Sequence, residues 1–212
     1  MRIDVWADVA CPFCYLGTAQ LERALASFPR RDQVEVRYHS FQLDPDAPVE
    51  AAGSGMEMLA RKFGRSVEET RRMTRGTEER AAAEGLHIDH EAIQPVNTFD
   101  AHRLVHLATE HGAGHAVLMR LYQAYFSRGE NVADHDTLAA IGAEAGMDEA
   151  RVREMLATDE HAENVRADVR QAAERGIQGV PFFVFDRVHG LSGAQGAETL
   201  SAVFAQLWEK TA

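Results

Sequence analysis

The chain has 212 residues, 45% hydrophobic and 26% charged, enough apolar material for a substantial core and unlike a fibrous or disordered protein. Its 22 basic and 33 acidic residues give a formal charge of -11 with no basic arm, which argues against a nucleic-acid partner. The N-terminus has neither a basic leader nor a continuous apolar run, and later apolar stretches are too short to span a bilayer, so the expectation is a soluble cytoplasmic protein without a membrane partner.

Ile3, Val5 and Ala7 alternate with Asp4, Trp6 and Asp8 as a first strand with one buried side, although Trp6 suits a second covered face. Leu16, Leu21, Leu25 and Phe28 then recur at helical spacing up to Pro29, and residues 34–39 alternate again. The opening is therefore a strand, helix, strand unit with parallel strands. Asp44-Pro45-Asp46-Ala47-Pro48 closes it, and the composition changes to Ala, Glu, Arg and His. Met56 to Phe63 reads as a helix stopped near Gly64, and Ser66 with Glu69 forms a capping box for the next, which runs toward Glu84. Further helices are read over 97–111 and 116–126, around Leu138 to Ile141, and after Asp148. A last long one, capped by Asp159, ends at Gly176. Phe182 to Phe185 and Arg187 to Leu191 make a hairpin around Asp186, and residues 195–208 form a closing helix. The fold class is α/β, with residues 1–47 and 159–212 flanking a helical segment at 48–158.

Both cysteines of the chain lie in Cys11-Pro12-Phe13-Cys14, where the first strand gives way to the first helix. Free N–H groups at a helix start lower the pKa of the first thiol, and the second thiol is near enough to capture a mixed disulfide. A zinc site needs two further ligands and there is no second cysteine pair; a mixed Cys/His site and inert thiols stay open beside the favoured dithiol redox centre. In that centre Cys11 is the exposed attacking thiol and Cys14, one turn inward, the resolving one. Val180-Pro181 precedes an apolar strand, and a proline there belongs at a strand start, an edge or a cis turn.

Residues 8–17, Asp-Val-Ala-Cys-Pro-Phe-Cys-Tyr-Leu-Gly, combine with Phe41-Gln42-Leu43-Asp44-Pro45, Asn97-Thr98, Ala101-His102-Arg103-Leu104, Gly179-Val180-Pro181-Phe182 and Ser192-Gly193-Ala194-Gln195. This set resembles the DsbA-like thioredoxin-fold family, FrnE-like branch, over nearly the whole chain. The resemblance implies a thioredoxin-like fold with a large all-helical insertion, a catalytic set of Cys11, Cys14 and a cis-proline at Pro181, and disulfide oxidoreductase or isomerase activity on protein or small-molecule thiols. Pro12, Phe13, Val180, His102 and Arg103 are the implied substrate-binding residues, with Val180 offering backbone hydrogen bonds to an extended peptide. Asp44 stands where the pattern usually has Asn. More distantly the chain is similar to kappa-class glutathione transferases and 2-hydroxychromene-2-carboxylate isomerases, which typically have Ser where this chain has Cys11. That likeness keeps a glutathione-dependent activity, with glutathione as redox co-substrate, as an alternative; no other cofactor is expected. A chaperone-like binding module is a second alternative.

The remaining polar candidates weigh less. His102 with His106, and His111 with His115, have metal-compatible spacing, but Gly112 and Gly114 interrupt a common site and no metal is expected. Asp4 and Asp8 are acid candidates near Cys14. Tyr122, Tyr125 and Phe126 form an apolar stripe read mainly as core. Nothing in the sequence speaks to oligomeric state.

Overall fold

A computed structural model describes residues 1–211; Ala212, the last residue of the expected third segment, lies outside the described residues. Four strands, β1 (Arg2–Ala7), β2 (Glu35–Ser40), β3 (Phe182–Phe185) and β4 (His189–Ser192), form one sheet in the order β2-β1-β3-β4. β1 runs parallel to β2 and antiparallel to β3, and β3 to β4 is an antiparallel hairpin. Asp186 and Arg187 turn that hairpin with φ of 47° and 64°, the left-handed region that an Asp tolerates better than most residues.

Both faces of β1 are covered, which is why its alternation does not follow polarity. Ile3 and Val5 pack with Phe183, Phe185, Leu21 of helix α1 (Pro12–Ala26), and Leu200 and Phe204 of helix α9 (Ala197–Thr211). Trp6 points the other way, against Val184, Ile177 and Ala172 of helix α8 (Ala162–Glu174). A sheet sandwiched by helices is the arrangement that parallel strand pairs require.

Between β2 and α8 the chain builds helices α2 (Gly55–Phe63), α3 (Val67–Ala83), α4 (Phe99–Glu110), α5 (Gly114–Tyr122), α6 (His135–Glu144) and α7 (Glu149–Leu156). Capping boxes at Ser54/Glu57 and Ser66/Glu69 fix the starts of α2 and α3, and Gly64, at φ 62°, ends α2. Several local readings shift, among them the second hairpin strand, which starts at His189 rather than Arg187, and the closing helix, which starts at Ala197 rather than Gln195. β2 lies one residue later than the alternation suggests. The helix through Tyr122 continues as a π-helical turn over Gln123–Arg128. α8 starts not at an Asp159 cap but after His161, which sits at φ 61°. The helical insertion is not a separate body resting on the sheet. One apolar core runs from Val9, Cys14, Tyr15 and Leu16 through Leu104, Leu121, Tyr122 and Phe126 to Val152, so the cysteine end of α1 is packed into the insertion.

Candidate functional site

Cys11 caps the N-terminus of α1 with φ -102° and ψ 112°, and Pro12 occupies the first helical position, where no N–H is needed. The Cys11 carbonyl accepts hydrogen bonds from Cys14 N at 3.0 Å and Tyr15 N at 3.2 Å, which places Cys14 one turn inward. Both thiols are free. The Val180–Pro181 peptide bond is cis, and the Cys11 thiol donates to the Val180 carbonyl at 3.4 Å. Gly17 allows this loop to sit so close to α1: a Cβ there would lie 2.9 Å from Pro181 Cγ.

The expected exposure of the first thiol needs correcting. Cys11 is only 4% exposed, because the Val180 segment lies across it, yet it lines a cleft of about 450 Å³; Cys14, fully buried, does not. The cleft is walled by Phe13, Leu43, Met58, Leu59, Phe63 and Met73. Phe13, Leu43, Phe63 and Met73 are four of the seven large apolar side chains that stand exposed among the described residues, so the apolar surface left uncovered gathers at one mouth. Pro12, Phe13 and Val180 line this cleft as substrate contacts would. Arg80 of α3 lies over the Phe13 ring at 5.5 Å and fixes that side of the opening.

His102 and Arg103 do not line it. Arg103 is 4% exposed and donates to the carbonyls of Glu160, Met155 and Thr158 and to Asp100 Oδ1, so it ties α4 to the end of α7. His102 is buried behind the cleft wall with its Nε2 3.2 Å from Asp8 Oδ1. Asp8, immediately after β1 and 1% exposed, collects four donors: Leu43 N at 2.7 Å, Thr98 Oγ1 at 2.8 Å, His102 Nε2 and Ala10 N at 3.4 Å. The strand end, the loop after β2 and the start of α4 thus meet on one carboxylate bordering the cleft. Burial pushes the Cys14 thiol well above the ordinary thiol value, and the nearby Cys11 and Asp8 charges push the same way.

A second polar cluster, invisible in the sequence because its members are far apart in the chain, lies away from the cleft. His39 Nδ1 is 2.7 Å from Asp168 Oδ1 and His39 Nε2 2.8 Å from Asp4 Oδ1, while its ring stacks on Trp6 at 4.4 Å. Asp168 Oδ2 accepts from Ser40 N at 2.8 Å and lies 3.1 Å from His106 Nε2. Burial opposes a charge on His39, but Asp168 and Asp4 outweigh it and raise its pKa. Burial likewise opposes ionisation of Asp168, yet hydrogen bonds from His106 and His39 hold that carboxyl far below its usual range. None of these side chains lines the cleft. They pin α8 to β2. In the other histidine pair, His115 Nδ1 is 2.8 Å from Tyr38 Oη of β2.

The arrangement as a whole has known counterparts. The probable DsbA oxidoreductase SCO1869 from Streptomyces coelicolor is 43% identical, with a TM-score of 0.92 over 99% of this chain and 90% of that one. YwbO from Bacillus subtilis (strain 168) is 26% identical over 99% of this chain and 98% of its own length. The cytosolic disulfide reductase DsbM from Pseudomonas aeruginosa, solved with GSH, shares the fold at 19% identity, with a TM-score of 0.68 over 99% of this chain and all of that one. The DSBA-like thioredoxin domain matches residues 2–205, and the chain belongs to that family.

Proposed function

We propose that this chain is a thiol-disulfide oxidoreductase whose working pair is Cys11 and Cys14, acting in the cytoplasm in the reducing or isomerising direction on an apolar thiol or disulfide partner. The observation that carries the reading is the asymmetry of the pair: Cys11 borders an apolar cleft and Cys14 lies fully buried one helical turn behind it. In the reducing direction the Cys11 thiolate attacks one sulfur of a substrate disulfide, a Cys11–substrate bond forms, and the other substrate sulfur leaves as a thiolate. Cys14 then gives up its proton and attacks Cys11. The Cys11–Cys14 disulfide forms, the remaining substrate sulfur departs and takes up a proton, and the two electrons have passed to the substrate. Pro12, Phe13, Val180 and Pro181 frame the approach of the substrate sulfur. A helix start next to a cleft also serves a glutathione mixed disulfide, so oxidised glutathione is included as a polar co-substrate.

The test is insulin disulfide reduction with mass-spectrometric trapping. Cys11→Ser abolishes turnover with an unchanged circular dichroism spectrum, and Cys14→Ser accumulates a covalent adduct on Cys11 with an apolar disulfide or with oxidised glutathione. Full turnover in Cys11→Ser, or no adduct with either probe in Cys14→Ser, overturns the reading.

A further inference from the structure

The sheet order leaves β2 as an edge strand, with β1 on one side of it only. Glu35 N donates to the Met1 carbonyl at 3.0 Å and Phe41 N to the Ala7 carbonyl at 3.0 Å, so the odd-numbered residues aim their N–H and C=O groups at β1. The even-numbered residues aim theirs outward. At Ser40 that outer row is closed by Asp168, whose Oδ2 accepts from Ser40 N at 2.8 Å. At Val36 and Tyr38 the row is open, with no partner for either backbone group among the described residues. Val34 extends it with φ -107° and ψ 123°; its N–H turns back to the Arg31 carbonyl at 2.9 Å and its own carbonyl is left over. A row of unpaired backbone groups is a template for another strand.

The side chains decide which strand fits. Glu35 and Arg37 are exposed on one face of β2 with Arg37 Nη2 2.6 Å from Glu35 Oε1. Charges on an edge normally keep copies of a chain apart, but this pair is self-complementary about Val36. When a second copy of the strand is laid antiparallel with Val36 facing Val36, each Glu35 falls opposite Arg37 of the other copy and no like charges meet. The outward-pointing residues 34, 36 and 38 then pair only with one another, so Val36 exchanges both backbone bonds with its counterpart and Tyr38 N reaches the Val34 carbonyl across the two-fold. A shift of two residues either way sets Glu35 against Glu35 or Arg37 against Arg37. On the opposite face, Val34, Val36 and Tyr38 line a groove of about 400 Å³ with Leu21 and Leu25 of α1. Paired residues share a face, so the apolar side chains of the second strand have this groove to enter.

We propose that the chain forms a two-fold dimer in which β2 pairs antiparallel with β2 of a second copy, joining the two sheets into one. The other edge strand, β4, reads His-Gly-Leu-Ser and offers no acid and base pair to set a register. No residue of β2 lines the cysteine cleft, so the pairing does not draw on it, and the proposal is independent of the oxidoreductase reading.

The experiment is sedimentation velocity of the full chain with its thiols kept reduced, over about 1–200 µM, where a small interface associates. The parent protein moves from monomer to dimer across that range. Glu35→Arg leaves two cations on the edge and Arg37→Glu two anions. Each puts like charges opposite one another twice per dimer and weakens association about tenfold or more. Both positions are exposed, so the circular dichroism spectrum is unchanged. The double variant carrying Glu35→Arg and Arg37→Glu recovers the parental association, and so does an equimolar mixture of the two single variants. A parent that stays monomeric throughout overturns the proposal and leaves the edge to a strand from a different protein. A dimer that survives both single substitutions overturns it, because another surface then joins the copies. Failure of either rescue overturns it as well, because the charge register would then not be what aligns the strands.

Discussion

At the scale of single residues, the site turns on how unequally two identical side chains are treated. Cys11 borders the cleft and donates its thiol hydrogen to the Val180 carbonyl, whereas Cys14 is sealed from solvent and its thiol is pushed upward by burial, by Cys11 and by the Asp8 carboxylate charge, against a hydrogen bond from the Asp8 backbone that pulls it down. Asp8 is the residue whose removal separates these influences. Its carboxylate has four donors and no vacant acceptor duty, so Asn, which brings an N–H₂ group to face them, leaves at least one buried donor opposed by another. Asp8→Asn is expected to lose roughly 1–3 kcal/mol of stability in urea unfolding for that reason. The same substitution removes a negative charge near Cys14 and so lowers its pKa. Stopped-flow measurement of the resolving step against pH checks this: its profile moves to lower pH in Asp8→Asn, and a profile that stays put shows that burial and Cys11 alone set the Cys14 value.

At the scale of elements, α2 and α3 do for the cleft what β1, α1 and the Val180 loop do for the sulfur. Their two capping boxes begin them at defined residues and Gly64 turns the chain between them, so that Met58, Leu59 and Phe63 of one helix and Met73 of the other face Cys11 across the opening. Phe63 is 49% exposed and Met73 41%, so neither contributes much to the core. Each has apolar area to bury only when the cleft is filled, which makes it a specificity element. Covering a half-exposed side chain of this size is worth about 1 kcal/mol, so Phe63→Ser and Met73→Ser should each raise KM for an aromatic disulfide by roughly fivefold. Hydroxyethyl disulfide, too small to reach either residue, should be reduced at the parental rate, and melting temperatures should stay within a few degrees. Equal losses on both substrates would place these side chains in the fold rather than in recognition. Part of this wall was legible in the sequence: Ser66 with Glu69 announces a helix start, and a periodic Met56, Leu59, Phe63 announces an apolar face. Which way that face points was not legible, because exposure depends on what packs above it. The same limit applies at 102 and 103, where the motif identifies two residues worth watching but burial turns one toward Asp8 and the other into a clamp on the end of α7.

At the scale of the whole molecule, the fold class follows from the sequence's order of patterns, since β and α signals at both ends enclose a helical middle. The cross-links that hold the ends together have no such signature. His39, Asp4 and Asp168 come from β2, β1 and α8, separated by 35 and 129 residues, and no local pattern joins them. Their consequence is a pH dependence. The groups facing His39 are Asp4 and Asp168, with Arg2 on Asp4, His106 on Asp168 and Trp6 beneath the ring, itself covered by Arg175. The His39 pKa is raised in the folded chain, so its stabilising effect is complete below the unfolded value of about 6.5 and drains away as pH rises through the folded value. Asp4 and Asp168 are held below their ordinary values, so their effect is complete above about 3.9 and is lost as pH falls through the lowered ones. These are the same contacts seen from opposite partners, and they are strongest together between roughly pH 4 and 6.5. The melting temperature should therefore fall between pH 6 and pH 8.5, where roughly 1 kcal/mol moves a chain of this size by about 2–4 °C. His39→Gln keeps a polar side chain against both carboxylates but cannot take up the proton, so it should melt lower than the parent at pH 6 and approach it at pH 8.5. Calorimetry of the two proteins across that range decides the point: parallel curves would mean that His39 is held neutral and that the α8–β2 link rests on neutral hydrogen bonds alone.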